Sequence, residues 1–88
     1  MIERAVLIGN RRGLHARASA KFVTLASSLP ATVEVAKDGS AVVGTSIMGL
    51  MMLGAAMGDT ITISAKGDGA EEAVESLVRL VEGKFGED

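Results

Sequence analysis

The chain alternates between two hydrophobic rhythms. From Arg4 to Ile8 the side chains alternate, with Arg4, Val6 and Ile8 on one face and Ala5 and Leu7 on the other, which predicts a strand. A polar, Gly-bounded loop, Gly9-Asn10-Arg11-Arg12-Gly13, follows. From Ala16 the period becomes helical: Phe22, Leu25, Ala26 and Leu29 share one face, and Pro30 ends the run. Thr32 to Lys37 alternates again, Asp38-Gly39 is a two-residue hairpin signal, and Ser40 to Val43 is the return strand. Ser46 is placed to N-cap a short helix with Leu50 and Leu53 as core contacts, ended by Gly54 and Gly58. Thr60 to Lys66 alternates cleanly, with Ile61, Ile63 and Ala65 on one side. After Asp68-Gly69 comes a last helix with a stripe of Val74, Leu77, Val78 and Val81. Its acids Glu71, Glu72 and Glu75 lie near the start, where the helix dipole favours them, and Glu75 with Arg79 forms an i,i+4 pair. The tail from Gly83 to Asp88 is expected to fray.

The resulting order, βαββαβα, predicts an α+β fold: an open-faced two-layer β-sandwich with a four-stranded antiparallel sheet and three helices on one face. With 88 residues, one domain over positions 1–88 is expected. A chain of this size lacks room for a large buried active site, so a binding module, carrier or small regulator fits better than multi-step chemistry.

Composition removes several function classes. The hydrophobic share of 48% and charged share of 23% are ordinary for a globular chain. Phe22 and Phe85 are the only aromatics, too few for base-stacking platforms, and 9 basic against 11 acidic residues leave a net charge of −2 with no basic stripe. Nucleic acid is therefore not an expected partner. Without cysteine there is no disulfide or thiolate metal site, and with His15 as the sole histidine no metal or other cofactor is expected. The uncharged stretch from Gly39 to Gly58 is long enough to span a bilayer, but turn residues divide it, so no membrane insertion is expected. The first residues lack a basic start and apolar run, and the expected compartment is the cytoplasm.

The chemistry concentrates in Gly13-Leu14-His15-Ala16-Arg17-Ala18-Ser19, where a loop gives way to a helix beside the lone histidine. The first N–H groups of a helix have no internal partner and carry partial positive charge, so an anion is favoured there. Arg17 adds a forked cationic donor in the first turn. An imidazole next to an anion pocket suits one reaction: a neutral ring nitrogen attacks a phosphoryl group and holds it as phosphohistidine. The same helix start disfavours a positive ring. The amides of Ala16 and Arg17 are expected to receive the phosphoryl oxygens. A lone histidine at a helix start also serves as an ordinary cap, and Arg17 as a solvated side chain. Ile47, Met48 and Met51 fall off the stripe of Leu50 and Leu53 and are expected on the surface. Met52 and Met57 are candidates for filling an irregular core. On the first helix, Ala20, Lys21 and Thr24 lie away from Phe22 and Leu25 and would admit a partner closely. Arg11, Arg12, Arg17 and Lys21 put positive charge around His15, which predicts acidic partner surfaces.

The string Gly-Leu-His-Ala-Arg at 13–17 resembles the active-site motif of the HPr family, the histidine-containing phosphocarriers of the bacterial phosphotransferase system. Thr45-Ser46-Ile47-Met48-Gly49 resembles that family's regulatory serine region, and Gly58 to Ala65 its last strand. With length and element order, the resemblance spans nearly the whole chain. It implies a shuttle: enzyme I, charged by phosphoenolpyruvate, phosphorylates His15 at Nδ1, Arg17 is the charge partner, and an IIA-type protein accepts the group. It also implies that Ser46 is the counterpart of a serine modified in some bacteria by an ATP-dependent kinase/phosphorylase. Such a phosphate would sit at a helix start and weaken docking to acidic partners. The alternative for Ser46 is a plain cap, and the alternative for the chain is a regulatory module that transfers nothing and acts through the Ser46 face. A monomer is the simple default for a shuttle.

The chain departs from the commoner pattern at three positions. Ala18 stands where many members have Pro, and restores an N–H in the first turn. Thr45 stands where Lys is frequent, and Gly49 weakens the short helix. Arg11-Arg12 with Ala18-Ser19 is similar to alphaproteobacterial versions, in which the system often serves nitrogen-related regulation rather than sugar transport.

Overall fold

The structure is a computed structural model that describes residues 1–87. The strands are β1 (Ile2–Leu7), β2 (Thr32–Lys37), β3 (Ser40–Val43) and β4 (Thr60–Lys66); the helices are α1 (Ala16–Ser27), α2 (Ile47–Met52) and α3 (Ala70–Glu82). The sheet order is β1-β4-β2-β3, with every neighbouring pair antiparallel. β4 is central because it is the most regularly alternating segment: Ile61, Ile63 and Ala65 are buried, while Thr60, Thr62 and Ser64 point to the open face. Its register sets Ile63 beside Arg4 on one side and Val35 on the other, and Val6 beside Ile61.

The three helices cover the buried face, so the α+β architecture and the element order are those the sequence predicts. The core joins Phe22 and Ala26 of α1, Leu50 of α2, and Val74, Leu77, Val78 and Val81 of α3 to the inward side chains of β1, β2 and β4. Leu25, Leu29 and Leu53 are only partly buried at its rim. The first strand begins earlier than the alternation alone indicates, because β4 is long enough to pair Ile2 with Ala65. Ile8 lies beyond β1 yet stays buried, its N–H donating to the Asp59 carbonyl at 2.8 Å. Met52 and Met57 do not fill the core: they are 80% and 58% exposed. The reason for Met52 is helical phase, since Leu50 takes the inward position of a helix only six residues long.

The tail differs from expectation. Gly83 to Glu87 does not fray. It folds back as a single 3-10 turn (Lys84–Gly86) that buries Phe85 in the same core as Phe22. Burying one Phe side chain contributes about 1.5–3 kcal/mol, and the turn's own backbone bonds with the Lys21 and Asn10 contacts add to it against the entropy of ordering the tail. The cost is local: Lys84 and Phe85 both adopt positive φ, 58° and 55°. Asp88 lies outside the described residues. No helix among the described residues is long and apolar enough to cross a membrane.

Candidate functional site

The approach to His15 is fixed at both ends. The Asn10 side chain, fully buried, closes the loop by donating from Nδ2 to the Gly13 carbonyl at 2.9 Å. Gly13 has φ +63°, and a Cβ there would collide with the carbonyl oxygen of Ala55, so only glycine fits. Its neighbour Leu14 is buried and donates to the same Ala55 carbonyl at 2.9 Å, which staples the loop to the segment after α2. The buried Ser19 hydroxyl donates back to the Leu14 carbonyl at 3.1 Å. His15 is therefore held in place as the N-cap of α1, with extended backbone (φ −75°, ψ −179°).

The ring has a partner at each nitrogen. Nδ1 accepts from the Arg17 amide at 3.3 Å, and Nε2 lies 2.9 and 3.0 Å from the two carboxylate oxygens of Glu87. A backbone N–H can only donate and a carboxylate can only accept, so one neutral tautomer satisfies both contacts: the proton sits on Nε2 and the lone pair on Nδ1. At 3.3 Å the cap bond is long, so Nδ1 is loosely held and readily freed. The His15 side chain is 20% exposed, half-sheltered rather than buried. The Arg17 amide is thus not an open donor in the resting site, as expected from the sequence, but is engaged by the ring that would use it; Ala16 is exposed at the first helical position.

Glu87 is itself positioned. Asn10 Nδ2 donates to its Oε1 at 2.9 Å, and this bond, followed by the His15 contact, holds the carboxyl below its ordinary value against the opposing effect of partial desolvation. Lys21, read from the sequence as a partner contact, donates from Nζ to the Phe85 carbonyl at 2.6 Å and so clamps the tail beside the ring. Arg11, Arg12, Arg17 and Glu87 line one shallow depression. Neither Asn10 nor Glu87 was singled out in the sequence. The available signal was an aromatic, Phe85, in an otherwise polar tail.

At the second helix Ser46 is the N-cap, and its hydroxyl accepts from the Gly49 amide at 2.9 Å. Gly49 is more than a weak helix former: a Cβ there would approach Ser46 Oγ and Val42 Cβ to 3.1 Å, so glycine allows α2 to lie close on β3. Ile47, Met48 and Met51 are exposed, Met48 by 72%. Arg17, Ala20, Lys21 and Thr24 line an open groove along α1 that reaches Leu80 of α3. α2 packs beside α1.

Comparison with known proteins agrees with this geometry. The family model described as PTS HPr component phosphorylation site matches residues 2–83. The chain is 47% identical over 87 residues to phosphocarrier protein HPr of Neisseria meningitidis, covering 99% of this chain and 98% of that protein. It is 41% identical over 86 residues to phosphocarrier protein NPr of Shewanella violacea, covering 98% and 94%. Its fold matches the crystal structure of HPr-C-His from Thermoanaerobacter tengcongensis with a TM-score of 0.95 and 46% identity, covering 100% and 99%. A small antiparallel sheet carrying a histidine-capped helix is thus the scaffold of a phosphoryl carrier. The chain belongs to the HPr family of phosphocarriers.

Proposed function

We propose that this chain, acting as one domain and as a monomer, accepts a phosphoryl group from enzyme I on His15 Nδ1 and passes it to IIA-type acceptors. The observation that carries this reading is the pair of contacts that leaves the Nδ1 lone pair at the start of α1. In the forward step the Nδ1 lone pair forms a bond to phosphorus while the donor's N–P bond breaks, and the donor nitrogen keeps that electron pair. As Nδ1 becomes phosphorylated it ceases to accept from Arg17, and the released amide, with that of Ala16, turns to the phosphoryl oxygens. The Arg17 guanidinium supplies the opposite charge.

Arg12, Ala20, Lys21, Thr24, Ile47, Met48 and Met51 form the docking rim, where adaptable Met side chains suit several partners and the arginines favour acidic ones. Ser46 is a site for regulatory phosphorylation by a kinase/phosphorylase; its hydroxyl is half-buried in the cap, and a phosphate there places negative charge next to Ile47 and Met48. The setting is the cytoplasm, and the Arg11-Arg12 and Ala18-Ser19 pairs favour nitrogen-related regulation over sugar uptake.

Incubation with enzyme I and phosphoenolpyruvate, read by intact mass, tests the reading. One acid-labile phosphoryl group is expected on the wild type and none on His15→Ala. No uptake by the wild type, or equal uptake by His15→Ala, would sink it.

A further inference from the structure

We infer that Glu87, held by Asn10, is a positioning residue for phosphoryl transfer that keeps the proton on His15 Nε2 and carries the charge opposite to the ring when Nδ1 is phosphorylated. This deepens the reading above and rests on it.

Three independent features converge on the tail. The first is the bidentate approach of both Glu87 oxygens to Nε2, at 2.9 and 3.0 Å. The second is the buried amide of Asn10. Its Nδ2 serves Gly13 and Glu87, while its Oδ1 is buried with no hydrogen-bond partner among the described residues. An orphaned buried acceptor is destabilising, so loop closure alone is a poor reason for an amide here; orienting the carboxylate is a better one. The third is backbone conformation. Lys84 and Phe85 both hold positive φ, sparsely populated for residues with a Cβ, and the Lys21 ammonium and the buried Phe85 ring keep them there. That strained turn delivers Glu87 to the ring.

The chemistry gives the contact a task. A neutral imidazole that attacks through Nδ1 while keeping Nε2–H becomes a cationic N-phosphoryl ring. Without a partner, that charge must be lost to solvent as a proton and regained before the ring can leave again. With Glu87 at 2.9 Å, the Nε2 proton stays in place in both directions and the carboxylate balances the ring's charge. The Glu87 side chain is 22% exposed, so screening by water limits the effect.

The test uses the full chain labelled with ¹⁵N at histidine, with Glu87→Ala and Glu87→Gln compared to the wild type. In the wild type the ring nitrogen shifts report Nε2–H at neutral pH, with a slowly exchanging proton. Glu87→Ala is expected to lose that slow exchange and to transfer on the order of ten-fold more slowly. Glu87→Gln keeps an acceptor of the same length, so slow exchange returns while the rate recovers only in part. The inference is overturned if Glu87→Ala transfers at the wild-type rate, or if it slows while the Nε2 proton and ring shifts stay unchanged. Failure of the wild type itself to take up a phosphoryl group would instead remove the reading in the preceding subsection.

Discussion

The two N-caps of this molecule use the same backbone device for different ends. His15 and Ser46 both have extended φ and ψ, and both accept from an amide in the first turn of the helix they start. The Ser46 hydroxyl accepts a 2.9 Å bond, and the helix behind it is six residues long. The His15 ring makes a looser 3.3 Å bond through Nδ1 and is anchored instead at its far nitrogen by Glu87. On the proposed function, the weak grip on the helix leaves Nδ1 available and the Glu87 contact fixes the ring. Tertiary surroundings, rather than the cap motif, make the difference.

The contrast can be broken most severely from the tail. Phe85→Ala empties a core position that is 1% exposed and releases the turn that carries Glu87. A loss of about 3–5 kcal/mol is expected in urea unfolding, with slower phosphoryl transfer among the molecules that remain folded. Next comes the direct exchange between caps. Ser46→Ala is expected to cost about 1 kcal/mol and leave phosphoryl uptake intact. His15→Ala is expected to abolish uptake, and it removes both the 3.3 Å cap bond and the Glu87 contact. With Glu87 already replaced by Ala, the further change His15→Ala is expected to cost less than Ser46→Ala; a larger cost in that background would show that the two caps do not differ in grip.

Acid sharpens the comparison more gently. Glu87 has a folded value below its ordinary 4.5, so the clasp contributes stability above 4.5 and loses it as pH falls through the lowered value. The groups acting on it are the Asn10 amide, the His15 ring and the Lys21 ammonium. Protection of the Gly86 and Glu87 amides, taken relative to intrinsic exchange at each pH, is therefore expected to fall below pH 4.5 before that of α3, and Glu87→Gln to remove that step. Protection that stays constant until global unfolding would show that the carboxylate does not hold the tail. The smallest effect is expected at Met48, which is 72% exposed. Met48→Ala should change stability by less than about 0.5 kcal/mol and weaken enzyme I binding measured by calorimetry.

Most of the architecture was legible along the chain. β4, the Asp38-Gly39 hairpin and the stripe of α3 are strongly periodic segments whose inward residues are buried as the pattern implies. The His15 site was half legible. Gly13, His15 and Arg17 lie within five consecutive residues, so local geometry brings them together. Asn10 pairs with Glu87 across 77 positions, and nothing in either neighbourhood announces the other. The polar tail is legible in composition but not in fate, because the burial of Phe85 acts together with contacts from Lys21 and Asn10, which lie far away in the sequence. The packing role of Gly49 is not legible in the sequence for a related reason. Helix propensity is a property of the segment, whereas its contact with β3 belongs to the packed molecule.

The amino-acid order alone therefore determined where strands and helices run, which faces they bury, and that an imidazole stands at a helix start. Those outcomes depend on interactions a few residues apart. Only the folded molecule decided which ring nitrogen keeps its lone pair, since that choice is made by a carboxylate brought from the far end of the chain. Hydrogen-bond geometry acts over about 3 Å, and sequence separation places no limit on which groups meet within it.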